Sequence, residues 1–129
     1  MKWIVGIVAL VAIAAGWIWL QGYKENHDVV RAHVSGAMLE LSAARDAVTE
    51  DFARNKALPR PRDFPATEKH VRSIKLDAEG RLVMTLSFPD SAAADGKHVV
   101  YEPSVAGTAI QWRCKSPDLE TKYLPTTCR

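Results

Sequence analysis

The chain has 129 residues, of which 47% are hydrophobic and 25% charged, and its formal net charge is +2. This length leaves room for one modest domain once an apolar N-terminal segment is set aside. A net charge of this size does not by itself indicate a nucleic-acid-binding protein.

An apolar segment opens the chain. Residues Trp3 to Leu20 carry no charged side chain. As a helix these eighteen residues would span about 27 Å, close to the roughly 30 Å hydrocarbon core of a membrane. Tryptophans lie near both ends, at Trp3, Trp17 and Trp19, where indoles favour the membrane interfaces. We therefore predict that residues 1–24 form a transmembrane anchor and that residues 25–129 form a globular domain.

A cleavable signal peptide is the alternative interpretation of this segment. Ala12-Ile13-Ala14 offers the small residues that a signal peptidase requires. Cleavage there would leave the apolar residues from Trp17 to Leu20 at the new N-terminus, which favours a retained anchor.

An amphipathic helix is predicted from Glu25 to about Ala57. Its apolar residues recur at steps of three, four and seven, as a single helical stripe requires. The helix should end at Leu58-Pro59, because a proline disfavours helical geometry in the residue before it. The stripe consists of Val30, Val34, Met38, Leu41, Val48 and Phe52.

Four strands are predicted after a connecting loop at residues 60–69. Apolar and polar residues alternate on both sides of the turn at Asp77 to Gly80, which indicates a hairpin. A second pair is predicted from Val99 to Tyr101 and from Ala109 to Cys114, with Ile110 and Trp112 on the face of Cys114. The fold class expected is α+β, with the long helix, first transmembrane and then amphipathic, packed on a four-stranded antiparallel sheet.

The two cysteines, Cys114 and Cys128, predict a disulfide that closes a fifteen-residue loop. Closing a loop of this size is worth roughly 3 kcal/mol of stability. Disulfides form in oxidising compartments, which would place the C-terminal domain outside the cytoplasm. A pair of unrelated free thiols is the alternative.

The order of these parts resembles the type IV pilins of Gram-negative bacteria over roughly Val30 to Arg129. The residues that carry the resemblance are the helix motif from Ser42 to Phe52, a Trp112-x-Cys114 strand, and a closing Tyr123-Leu-Pro-x-x-Cys128-Arg129. The resemblance implies that the two cysteines bound a surface loop used in subunit packing and in contact with surfaces. It also implies other pilin subunits or pilus assembly proteins as partners, in adhesion and twitching motility. The expected location is a single pass in the inner membrane with a periplasmic C-terminal domain, or an extracellular pilus.

The N-terminus departs from that family pattern. Family members carry a basic leader ending in glycine and a glutamate five residues after the cut. Here the fifth residue after Gly6 is Val11, and the fifth residue after Gly16 is Gln21. No acidic residue precedes Glu25. We therefore predict that the standard processing motif is missing. This favours an alternative role as an unprocessed, membrane-anchored accessory protein that assists or regulates pilin assembly.

No catalytic, cofactor or metal site is predicted, and no small-molecule substrate. The four histidines, at 27, 33, 70 and 98, are dispersed in the sequence, and no nucleophile lies in a known motif with a base. A further alternative is a DNA-uptake protein that contacts phosphates through a basic strip. That strip would consist of Arg54, Lys56, Arg60 and Arg62.

Overall fold

The structure, a computed structural model, describes residues 26–129. It contains one long helix, α1, at His27–Asn55, and a five-stranded sheet. Two short 3₁₀ turns follow at Thr121–Tyr123 and Thr126–Cys128. The strands are β1 Arg62–Phe64, β2 Val71–Leu76, β3 Leu82–Leu86, β4 His98–Ala106 and β5 Ala109–Lys115.

The predicted anchor at residues 1–24, and with it the predicted domain boundary, lies outside the described residues. Among residues 26–129, no helix combines the length and the apolar character that a membrane crossing requires.

Helix α1 begins and ends at recognisable caps. The Asn26 side chain accepts a hydrogen bond from the Asp28 N–H at 3.1 Å, which satisfies one free donor of the first turn. At the other end Lys56 adopts a left-handed conformation, with φ of 58°, and its N–H bonds to the Phe52 carbonyl. The helix therefore ends at Asn55, four residues before Pro59 and two residues before the predicted end near Ala57.

The sheet is an antiparallel meander in the order β1-β2-β3-β4-β5. Four strands were expected, so that prediction is wrong by one strand. The extra strand, β1, lies in the segment predicted as a connecting loop and pairs Phe64 with Ile74. Pro61 and Pro65 flank it, so the sequence shows no run of alternating residues that would predict a strand there. An edge strand tolerates these prolines because one side of its backbone needs no hydrogen-bonding partner.

The core lies between α1 and one face of the sheet. Strand β3 shows strict alternation, with Leu82, Met84 and Leu86 fully buried and the residues between them half-buried. This confirms the prediction that the apolar stripe of α1 covers the sheet. The buried residues of the helix are Val30, Val34, Ala37, Met38, Leu41, Ala44, Val48 and Phe52.

Candidate interaction surfaces

The C-terminal loop is closed by a disulfide between Cys114 and Cys128, whose Cα atoms lie 4.7 Å apart. The disulfide prediction is thus confirmed, and neither cysteine is free. Cys128 is only 2% exposed, and its Sγ lies 3.7 Å from the Sδ of Met38 in α1. The bond therefore attaches the end of the chain to the helix as well as to β5.

The interior of this loop is part of the hydrophobic core. Leu119, Tyr123 and Leu124 are each at most 5% exposed, and Arg31 of α1 donates to the Lys122 carbonyl at 3.4 Å. Sequence reasoning had described the loop by its surface and missed this inward side. The residues that the loop presents to solvent are Lys115, Pro117, Asp118, Glu120, Thr121, Lys122, Thr126 and Thr127.

A polar cluster fixes the start of the loop to β4. Asp118 accepts the His98 N–H at 2.8 Å, and its second carboxylate oxygen lies 2.7 Å from the His98 Nδ1. Ser116 donates its hydroxyl to the His98 main-chain carbonyl and accepts the Leu119 N–H at 2.9 Å. Because the Ser116 hydroxyl faces a carbonyl and not the imidazole, this trio holds the loop and does not activate a nucleophile.

The Asp118 carboxyl has a perturbed pKa. Burial raises the pKa of Asp118, but the hydrogen bonds from the main chain and ring of His98, together with the charges of His98 and Lys97, outweigh that effect. The pKa is therefore lowered from its ordinary value, and the carboxylate is stabilised in its ionised form.

The side of α1 that faces away from the sheet carries a second apolar stripe. Leu39 is 75% exposed and Val29 is 50% exposed. Ala32 and Ala43 are also exposed, and space beyond Gly36 is open. These five residues, at 29, 32, 36, 39 and 43, follow steps of three and four, the spacing with which one helix packs against another. The sequence prediction named only the stripe that packs on the sheet and did not include this second one, although its spacing is present in the sequence.

The predicted basic strip is not a set of free cations. Arg54 and Arg62 both pair with the Asp51 carboxylate, at 2.5 and 3.0 Å. The Arg62 guanidinium also lies over the Phe64 ring, 4.6 Å from its centre. Lys56 and Arg60 are exposed. The structure brings Arg54 and Arg62 of the strip together around Asp51, an acid that the sequence prediction did not include.

Two histidines that are distant in the sequence meet in the fold. His33 of α1 and His70, just before β2, have ring centres 4.4 Å apart, and His70 stacks on Phe88 at the same separation. His70 Nδ1 lies 3.2 Å from the Ser87 carbonyl oxygen. Nevertheless, no group of three or more metal-binding side chains is present between residues 26 and 129.

Comparison with known proteins identifies the family. A family model for pilins, described as bacterial filament proteins, matches residues 30–129. The chain therefore belongs to the pilin family, which confirms the resemblance to type IV pilins over the same residues. No curated protein matches the chain.

Proposed function

We propose that this member of the pilin family is a non-enzymatic subunit of a type IV pilus, acting in adhesion and twitching motility through protein–protein contacts. The observation that carries the proposal is that α1 has apolar residues on two opposite sides. One side is buried against its own sheet, while the other presents Val29 and Leu39 to solvent at 50% and 75% exposure. A helix that serves only its own domain would be expected to carry polar residues on the second side.

The C-terminal loop supplies the second contact surface. Its interior is fixed by the disulfide, by Tyr123 and Leu124 in the core, and by the Asp118–His98 contact. A surface held in this way loses little conformational entropy when a partner binds. We therefore assign subunit packing and contact with external surfaces to its exposed residues.

Cell fractionation tests the proposal. A structural subunit should be recovered in filaments sheared from the cell surface. Deletion of the gene should reduce pilus number, twitching and adhesion. Recovery in the inner membrane alone, with normal pili in the deletion strain, would contradict the role of subunit.

That second result is what the accessory role predicts. The observation in its favour is the sequence after Gly6, where Val11 occupies the position at which family members carry glutamate. An unprocessed anchor would keep the protein in the inner membrane, next to pilins or assembly proteins. Mass spectrometry of the membrane-extracted protein would show whether its N-terminus is intact.

DNA uptake is the weaker alternative. Asp51 places a negative charge between Arg54 and Arg62, which opposes the phosphate attraction that a basic strip would need. If the strip nevertheless binds DNA, Lys56→Ala and Arg60→Ala should reduce the salt dependence of binding. Absence of binding at low salt would exclude it.

A further inference from the structure

The hairpin of β4 and β5 projects beyond the rest of the sheet. β3 begins at Leu82, which pairs with Tyr101 of β4. Within the described part of the chain, the residues of β4 after Tyr101 pair with β5 alone, up to the Ala106–Ala109 pair at the turn. The end of the hairpin is therefore a two-stranded ribbon.

One face of this ribbon is apolar. Val105 lies opposite Ile110, and Pro103 lies opposite Trp112. These four side chains share one face, because alternate residues of a strand point to the same side. Since Trp112 donates to Thr49 of α1, it is the face on the helix side of the sheet. We call these four residues the hairpin face.

Helix α1 leaves the end of the hairpin face uncovered. Pro103 and Ile110 are half-buried, whereas Val105, nearer the turn, is 50% exposed. In the part of the chain that the structure describes, the other large hydrophobic side chains with this much exposure are Val29 and Leu39 of α1. A contiguous apolar patch at the surface marks a site of interaction.

The chain thus presents two different apolar surfaces. One is the hairpin face, and the other is the outward stripe of α1 at residues 29, 32, 36, 39 and 43. The family to which the chain belongs is described as bacterial filament proteins. A filament of identical copies needs two different surfaces that fit each other, because a patch that pairs with itself about a two-fold axis closes a dimer.

We infer that the hairpin face of one copy packs on the outward stripe of α1 of the next copy, with Val105 against Leu39. This inference rests on the proposed function as a filament subunit, and it names the surface that the stripe meets. Both surfaces face the side of the sheet on which α1 lies, so a rotation about an axis parallel to α1 turns them toward each other. Contact of stripe with stripe would leave Val105 exposed to solvent.

The positions of the two surfaces along α1 determine how the copies are shifted. Thr49 contacts the hairpin face, and it follows Leu39 by ten residues and Val29 by twenty. At 1.5 Å per residue these separations are about 15 and 30 Å. A rotation combined with a shift in this range keeps every α1 pointing in one direction, and the contact repeats without closing. Copies anchored in one membrane share that direction.

An exchange of charges tests the contact. Leu39→Glu and Val105→Arg each place a charge at an exposed position, so the fold should tolerate both. An amine-reactive cross-linker applied to intact cells, followed by a denaturing gel, measures contacts between copies of the full-length chain, and neither substitution changes the number of lysines. Each single variant should lower the yield of cross-linked dimer roughly tenfold. The double variant should recover to within about threefold of the wild type, because the guanidinium then faces the carboxylate.

A matched control comes from the other face of the same strand. Ser104 is exposed and precedes Val105, so its side chain points away from the hairpin face. Ser104→Arg alone should leave the yield unchanged, and it should not rescue Leu39→Glu. The inference is overturned if the wild type gives no dimer or if Val105→Arg has no effect. It is also overturned if the double variant yields no more dimer than Leu39→Glu, since the stripe would then meet another surface.

Failure of this inference is distinguishable from failure of the proposed function. Wild-type protein in sheared filaments, without rescue in the double variant, would refute only the contact between hairpin face and stripe. Rescue in cells that hold the protein in the inner membrane alone would support that contact and refute the role of filament subunit.

Discussion

The indole Nε1 of Trp112 donates a 2.9 Å hydrogen bond to the hydroxyl of Thr49, joining the middle of β5 to α1. Thr49 in turn donates to the Arg45 carbonyl one turn earlier. This contact fixes the position of β5, which carries Cys114, relative to α1, whose Met38 contacts Cys128. The hydrogen bond and the disulfide together connect β5 to α1 and to the end of the chain.

Thr49→Val should lower the free energy of unfolding by about 1–3 kcal/mol, because the indole N–H would lose its partner in a half-buried position. Urea unfolding of the full-length protein in detergent micelles measures this change. Thr127→Val, at an exposed position of the C-terminal loop, is the control and should change stability by less than about 0.5 kcal/mol. Equal stabilities for the Thr49 variant and the wild type would show that the bridge is unimportant.

Removal of the disulfide by the double substitution Cys114→Ala and Cys128→Ala should cost about 2–4 kcal/mol. The cost arises because the unfolded chain gains conformational freedom and because Cys128 loses its contact with Met38. Thermal unfolding with and without a reductant should show a shift in the wild type and none in the double variant. Thiol labelling of the native wild type should find no free cysteine.

Acid should weaken the attachment of the C-terminal loop through Asp118. Its folded pKa lies below the unfolded value, so the stabilisation is present above an ordinary carboxyl pKa of about 3.9 and is lost as the pH falls through the folded value. The stability difference between wild type and Asp118→Asn should therefore be largest near neutral pH and shrink below about pH 4. Urea unfolding at several pH values measures it. Thr127→Val, which removes no ionisable group at an exposed position, should show no such trend.

Glu40 holds the segment before β2 against the helix. Its carboxylate accepts the N–H groups of Thr67 at 2.9 Å and of Glu68 at 2.6 Å, and also the Thr67 hydroxyl. Glu40→Ala should speed hydrogen exchange of these two amides roughly tenfold or more, since hydrogen bonds to a charged acceptor are worth about 1.5–3 kcal/mol. Glu50→Ala, exposed on the same helix, should leave both rates unchanged. Unchanged rates in the Glu40 variant would mean that the segment is held by other contacts.

The outward stripe of α1 should matter for assembly and little for folding. Leu39→Glu replaces the most exposed apolar side chain of the stripe, so the stability of the domain should change by less than about 0.5 kcal/mol. The amount of protein in sheared filaments should fall sharply if α1 packs against neighbouring subunits. Ala53→Glu, exposed on the same helix but beyond the stripe, should assemble normally. Normal assembly of the Leu39 variant would separate the stripe from the proposed function.

Sequence reasoning predicted the features that depend on local periodicity. The bounds of α1 followed from its apolar spacing and from Pro59, and the alternation in β3 followed from the two-residue period of a strand. The α+β class followed from packing the apolar stripe of α1 against the apolar face of the sheet. The pairing of Cys114 with Cys128 followed from there being two cysteines in the chain. The helical stripe and the strand alternation are local features, because one helix or one strand sets the spacing of its own side chains.

What only the tertiary structure decided concerns residues that are distant in the chain. β1 is identified only by its pairing with β2, because three residues between prolines are too few to show the alternation of a strand. The ion pair of Asp51 with Arg62, the ring contact of His33 with His70 and the burial of Leu119 and Tyr123 all join separate elements. Burial and pairing depend on which surfaces the folded chain brings together, and no spacing within one segment encodes that.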